Sequence, residues 1–306
     1  MIAGHSPASW LVFAVTIAVL LIVDLALISR GARLTVGRAT WWSLTVVVVA
    51  ALFGVFIGVH DSRADAVQFA TGYVVEFSLS VDNLLVFIMV LRYFGVPAAV
   101  QPTALKWGVL GAMVMRGIVI AAGSLILREF HWVIYLFGAL LVITAVRMFA
   151  KPGDEDVDLE KLPLLRAARK VLPVSRRFDG NAFFVREGGR LLVTPLLLVV
   201  LVIEWTDLVF ATDSIPAIFA ITRDPFLIYT SNIFAIVGLR ALYFVLAAML
   251  TRFAYLRFGV ATVLLFVGAK MLAAHWVTVP SLLSLGVIVV VLGASVVASL
   301  AAPRAR

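Results

Sequence analysis

Apolar residues run through this chain in long blocks, broken by short polar stretches. Nine blocks, at 10–29, 41–60, 68–91, 107–127, 131–150, 195–221, 227–250, 254–274 and 280–301, are dominated by Leu, Val, Ile, Ala and Phe. Each approaches or exceeds the ~20 residues that a helix needs to cross a hydrocarbon layer about 30 Å thick. The pattern predicts an all-α fold: a polytopic membrane helix bundle of about nine spans, with residues 1–306 forming a single membrane domain.

Composition strengthens that reading. Apolar residues make up 63% of the chain and charged residues 14%, against ~45–50% apolar in ordinary soluble domains. The net charge of +8 resembles a nucleic-acid signal until the basic residues are sorted by side. Eighteen of the 25 Lys and Arg fall on one predicted side: Arg30, Arg33, Arg38, Arg92, Lys106, nine residues in 151–190, Arg252, Arg257, Arg304 and Arg306. Three fall on the other side: Arg63, Arg128 and Arg223. Arg116, Arg147, Arg240 and Lys270 lie within spans. The positive-inside rule then puts the N-terminus outside and the C-terminus in the cytoplasm of an inner (plasma) membrane. An odd number of spans agrees with this split. No nucleic-acid partner is expected; the lipid bilayer is.

No Lys or Arg precedes the first apolar run, whereas a cleaved secretory signal needs a basic leading region. The first span is therefore expected to be retained. The chain has no cysteine, which excludes disulfides, thiolate metal sites and thiol catalysis. Trp10, Trp41, Trp42, Trp107, Trp132 and Trp276 lie near predicted span ends, as an interfacial aromatic belt would place them. Trp205 lies in mid-span instead.

Two acidic motifs interrupt the apolar blocks. The first is Glu76-Phe-Ser-Leu-Ser-Val-Asp82-Asn83 and the second Glu204-Trp-Thr-Asp207-Leu-Val-Phe-Ala-Thr-Asp213-Ser214. Aligned, Glu76 falls on Asp207, Asp82 on Asp213 and Asn83 on Ser214. Carboxylates at bilayer depth cost about 2.5–3.5 kcal/mol each on insertion scales, so two matching copies point to one site built from two halves. Two further landmarks recur in the same order: Arg116 and Arg240 in the following span, then Arg147-Met148 and Lys270-Met271 in the third. Residues 68–150 and 195–274 are thus read as two three-helix repeats. The charge-derived topology makes them inverted, an arrangement that places transporter sites near the midplane.

Residues 151–190 form the one sizeable hydrophilic segment, read as a cytoplasmic loop. Within it 159–171 is expected to form a short amphipathic helix, and its basic residues could touch anionic lipid. The run from Ala182 to Val193, with Gly188-Gly189 at its centre, predicts a small hairpin.

The candidate metal ligands are Glu76, Asp82, Asn83, Glu204, Asp207, Asp213 and Ser214, with Ser78, Ser80, Thr206 and Thr212 nearby. Such oxygens suit hard divalent cations, Mn²⁺, Mg²⁺ or Ca²⁺. Acids six apart sit about 120° apart around a helix. Their convergence on one ion would need a helix break, for which Pro216 is the candidate. The competing view is charge pairing that pins helices together, with Arg116, Arg240 and Lys270 as bases and Asp24 as a further acid. Six intramembrane acids against four bases leave negative charge for a cation or protons to balance. His5, His60, His131 and His275 all lie at predicted outer ends or loops, where they read as interfacial residues or, alternatively, as an outer metal-capture site.

These motifs resemble the TerC family of integral membrane proteins, which includes the alkali-inducible Alx-type proteins. The resemblance spans nearly the whole chain. It is densest at Glu76 to Asn83, at Thr194-Pro195-Leu, from Glu204 through Asp213-Ser214-Ile-Pro216-Ala-Ile-Phe-Ala, from Thr230-Ser-Asn232 through Arg240-Ala-Leu-Tyr-Phe, at Gly268-Ala-Lys270-Met and at the Gly180-Asn-Ala-Phe-Phe-Val-Arg loop. The family is named for tellurium resistance, and members are linked to manganese export and to metal loading of secreted enzymes. The resemblance implies efflux of Mn²⁺ or a similar ion, with the metal as cargo and no permanently bound cofactor. The rival expectation is a membrane scaffold for metal loading or for tellurium and metal-stress resistance, without transport of its own. Enzymatic activity is not expected, and no phosphate-cradling glycine loop supports ATP-driven pumping.

Overall fold

Long apolar runs without internal breakers form helices wherever backbone groups must satisfy one another, and a helix occupies each of the nine ranges. A computed structural model of the chain describes residues 5–29, 36–130, 132–150, 173–175, 177–187, 189–249, 255–273, 276 and 279–301. Within the helices the side chains of Asp82, Asn83, Thr212, Asp213 and Arg240 lie outside the description. The helices are α1 (Pro7–Ser29), α2 (Val36–His60), α3 (Arg63–Tyr93), α4 (Gln101–Glu129), α5 (Val133–Ala150), α6 (Pro195–Phe219), α7 (Pro225–Met249), α8 (Leu256–Leu272) and α9 (Ser281–Ala301). A two-stranded sheet, β1 (Phe184–Glu187) and β2 (Arg190–Val193), precedes α6.

Six of these helices, α1, α2, α4, α5, α6 and α9, are long and apolar enough to cross a membrane. The apolar stretches 225–239 of α7 and 258–272 of α8 are shorter. The chain is a multi-pass helical membrane protein. The large side chains left exposed, such as Leu11, Leu52, Val114, Leu136 and Val290, suit a lipid surround.

Polar punctuation sets the helix ends. Ser62 caps α3: its hydroxyl accepts the Asp65 amide at 3.0 Å and donates to the Asp65 carboxylate at 2.7 Å. Gly95, at φ 60°, ends α3 with its amide on the Arg92 carbonyl, a conformation glycine adopts without strain. Pro102, Pro195 and Pro225 open α4, α6 and α7, where the missing amide is not needed. Asp224 caps α7 by accepting the Phe226 amide at 2.8 Å.

The hairpin forms as expected: β1 and β2 pair antiparallel, with Glu187 opposite Arg190 and Gly189 in the turn at φ 78°. Thr194 then ties the start of α6 to the loop, donating to the Ala182 carbonyl at 2.7 Å. The expected amphipathic helix at 159–171 lies outside the described residues.

The expected helix break is absent. Both α3 and α6 run unbroken through their acidic motifs. Pro216 sits in the last turn of α6, so it frees only the backbone acceptor one turn earlier and the helix need not open.

At the centre, α3 packs on α7 and α6, α4 packs on α6 and α7, and α5 lies along α8. The α5–α8 contact is close because Gly138 and Gly268 face each other. A Cβ on Gly268 would stand 2.9 Å from the Gly138 carbonyl oxygen. Small residues allow such backbone approach in membrane helices. An aromatic cluster of Trp10, Phe13, Phe53, Phe69, Phe226 and Phe234 joins α1, α2, α3 and α7.

Candidate functional site: a buried charge cluster

Arg116, on α4, is wholly buried, and a charge in that position needs partners. Three helices supply them. Its Nε and Nη2 donate to the two carboxylate oxygens of Asp207 on α6, at 3.1 and 2.9 Å, the two-pronged geometry that a guanidinium and a carboxylate favour. Nη1 donates to Oδ1 of Asn232 on α7 at 2.9 Å and forms an ion pair with Oε1 of Glu76 on α3. Ser80, one turn along α3, also donates to Oε1 of Glu76, at 3.4 Å.

Sequence reasoning singled out Glu76, Asp207 and Arg116, and the fold brings all three together. Glu76 and Asp207 are the aligned pair of the two motifs, and a single guanidinium bridges them. Asn232 was not anticipated as a site residue. Its signal was an amide inside an apolar run, a residue type that membrane helices use to bond across to neighbours.

Among the described residues the cluster is not electrically closed. Glu204 lies one turn before Asp207 on α6, and both its carboxylate oxygens are buried without a hydrogen-bond partner. The side chain rests against Gly111 of α4, where an added Cβ would overlap the carboxylate. No arginine pairs with Glu204 among the described residues. Oε2 of Glu76, Oγ of Ser214 and Nδ2 of Asn232 are likewise buried and unpartnered. Each such atom costs about 1–3 kcal/mol. Among the described side chains, Glu76, Asp207 and Glu204 against Arg116 make three carboxylates for one fixed cation.

Other predicted residues lie elsewhere. Asp24, on α1, accepts the indole N–H of Trp42 on α2 at 2.8 Å, and none of its described contacts reaches Arg116. Lys270, on α8, donates to Ser284 of α9 at 3.0 Å and makes no ion pair with an acid among the described residues. Ser78 and Thr206 donate back to carbonyls of their own helices. Asp82, Asn83, Asp213 and Arg240 occupy described backbone positions on α3, α6 and α7. Among the described residues no group of three or more acidic or histidine side chains is arranged to hold a metal ion. His5, expected to be interfacial, is instead buried between two aspartates.

These features define a class: a multi-pass helical membrane protein with a buried, acid-rich charge cluster shared by four helices. Residues 61–306 match the model of the integral membrane protein TerC family, and the chain belongs to that family. It is 44% identical over 300 residues to "Uncharacterized membrane protein STKORF319" of Myxococcus xanthus, covering 98% of this chain and 94% of that one. It is 45% identical over 293 residues to "Putative membrane-bound redox modulator Alx" of Escherichia coli (strain K12), covering 92% and 91%. An "Uncharacterized membrane protein" of Rickettsia felis is 34% identical over 293 residues. No solved structure matches the chain.

Proposed function

We propose that this chain is a secondary transporter that exports a divalent cation, most fittingly Mn²⁺, from the cytoplasm. The observation that carries the reading is Arg116 held between Glu76 and Asp207 while nearby carboxylate oxygens stay unpartnered. A tethered guanidinium is a stand-in cation: it neutralises the two acids when no ion is present and swings aside when one arrives. The freed oxygens are hard donors of the kind that bind Mn²⁺, Mg²⁺ or Ca²⁺.

In the proposed topology the N-terminus is outside, while residues 151–190 and the C-terminus are cytoplasmic. Residues 68–150 and 195–274 are inverted repeats. The packing supports this, because exchanging α3, α4 and α5 with α6, α7 and α8 maps the contacts of α3 with α7 onto those of α4 with α6. Inverted repeats make α3 and α6 run in opposite directions. From the Arg116 level, the six-residue step then carries Asp82 about 9 Å toward the cytoplasm and Asp213 about 9 Å toward the outside. The acids so placed form a series across the membrane: an entry acid, a locked central pair and an exit acid. Protons entering from outside are the natural counter-ions, since the same carboxylates bind either.

The scaffold alternative, metal loading or tellurium and metal-stress resistance without transport, draws on one observation. Arg116 is fully buried and bonded on every side. A redox role, suggested by the name of the E. coli relative, could not run through thiols here, because the chain has no cysteine.

The test is Mn²⁺ accumulation in cells lacking other exporters. Asp82→Asn and Asp213→Asn, which keep size and one oxygen but remove a charge, are each expected to abolish efflux while the protein still inserts. If both keep wild-type efflux at matched expression, the acids are structural and the scaffold reading takes precedence.

A further inference from the structure

A second charged cluster lies away from Arg116, where the N-terminal segment meets two interhelical turns. The His5 ring is buried, 4% exposed, and lies against Phe226 with centroids 4.3 Å apart. Its Nδ1 faces Oδ2 of Asp61 at 3.0 Å and its Nε2 faces Oδ2 of Asp224 at 3.1 Å. Both aspartates are otherwise engaged. Asp61 also meets Nδ1 of His60 at 3.2 Å and the Ser9 hydroxyl at 3.4 Å. The other oxygen of Asp224 caps α7.

The chemistry of this arrangement is asymmetric in protons. An ionised carboxylate only accepts hydrogen bonds, and a neutral imidazole has one N–H and one lone pair. Both contacts are therefore satisfied together only when His5 carries two protons. With one proton, a ring lone pair faces a carboxylate oxygen. Burial pushes the Asp61 carboxyl up, but the hydrogen bonds and charges of His60 and His5 outweigh it and hold Asp61 below its ordinary range. Asp61 thus stays ionised near neutral pH. The other charged groups on these turns are Arg63 and Asp65 at the start of α3 and Arg223 beside Asp224. Asp65 is held by Ser62. Arg63 and Arg223 are exposed and form no ion pair among the described residues.

The position gives the contact leverage. Asp61 sits in the turn that begins α3, the helix of Glu76, and Asp224 caps α7, the helix of Asn232. His5 ties together the ends of two of the four helices that hold Arg116, and Trp10 and Phe13 continue the seal with their rings against Phe226 and Phe234.

We propose that His5, Asp61 and Asp224 form a proton-binding latch, which closes the outer end of the protein when His5 is an imidazolium and loosens as external pH rises. The assignment of this end to the outside rests on the topology given under the proposed function.

The absence of native cysteine allows a direct test. Ser9, wholly buried beneath the latch, is replaced as Ser9→Cys, and exposed Arg63 as Arg63→Cys for a reference. A membrane-impermeant maleimide is applied to intact cells at external pH from about 5.5 to about 8.5, the range in which imidazole changes charge. The ratio of the Ser9→Cys rate to the Arg63→Cys rate is expected to rise about tenfold across that range, the factor that one charge-assisted hydrogen bond supplies. Adding His5→Gln should leave the ratio high and flat. Asp224→Asn retains an oxygen to cap Phe226 and should move the step to lower pH, so the test survives if His5→Gln fails to fold. A flat ratio with His5 intact, a step that persists in His5→Gln, or an Arg63→Cys that is not labelled from outside would overturn the latch. Labelling needs no transport. A flat ratio beside intact Mn²⁺ efflux therefore removes the latch alone, and a pH step beside absent efflux removes the transport reading alone.

Discussion

Replacing Arg116 by Met keeps much of the side-chain length and removes the charge. The structure sets the consequence. Three hydrogen bonds, two to Asp207 and one to Asn232, and the ion pair with Glu76 disappear. Two carboxylates then share a buried space with no cation among the described side chains. Breaking a buried pair from one side costs about 3–5 kcal/mol, because a charge is left uncompensated. The loss should be strongly non-additive. Arg116→Met with Asp207→Asn removes one orphaned charge together with the guanidinium. The double variant should therefore recover at least about 1 kcal/mol against the sum of the singles, a coupling typical of direct partners. Unfolding free energies in bicelles for wild type, both singles and the double form the assay. If Arg116→Met costs less than about 1 kcal/mol, or the two changes add simply, Arg116 is not the clasp between α3, α4 and α6.

Three other outcomes follow from the same geometry. Gly111→Ala pushes a methyl group into the Glu204 carboxylate, so it should lower stability by about 1–3 kcal/mol; the loss should shrink in a Glu204→Ala background, measured in the same assay. Asp61, held below its ordinary value of 3.8, contributes stability that is present above that value and lost as pH falls through its lower folded value. The stability advantage of wild type over Asp61→Asn should therefore shrink below about pH 4 in detergent melts; an advantage unchanged at pH 3 would contradict it. Glu155→Cys, within the segment assigned to the cytoplasm, should resist an impermeant maleimide on intact cells and react in inside-out vesicles, and labelling from outside would overturn the topology.

Much of the architecture was readable in advance because bilayer thickness leaves the chain few choices. Each of the nine apolar ranges carries a helix, and the paired glycines between Phe183 and Val193 marked a hairpin that forms. Glu76, Arg116 and Asp207 were legible for the same reason: a charge in an apolar run is expensive, so it stands out. What the pattern does not encode is which charges meet. Lys270 stood ready as a partner for the acids, yet it reaches a serine on α9, and Asp24 bonds an indole on α2. Those pairings depend on helix rotation, which the apolar pattern of a helix that is hydrophobic all round does not constrain. The helix break expected at Pro216 failed for a local reason, since a proline in a last turn removes only one backbone bond. His5 was read as interfacial because its sequence neighbours are loop-like. Its burial arises from two turns 56 and 219 residues away in sequence.

The claim that this chain moves a metal ion through its acidic cluster is tested most directly by uptake into inside-out vesicles, with Mn²⁺ compared against Mg²⁺, Ca²⁺ and Zn²⁺. Vesicles carrying the wild-type chain should accumulate Mn²⁺ in preference to the others, and those carrying Asp82→Asn should not. Uptake no greater than in vesicles lacking the chain would contradict the account.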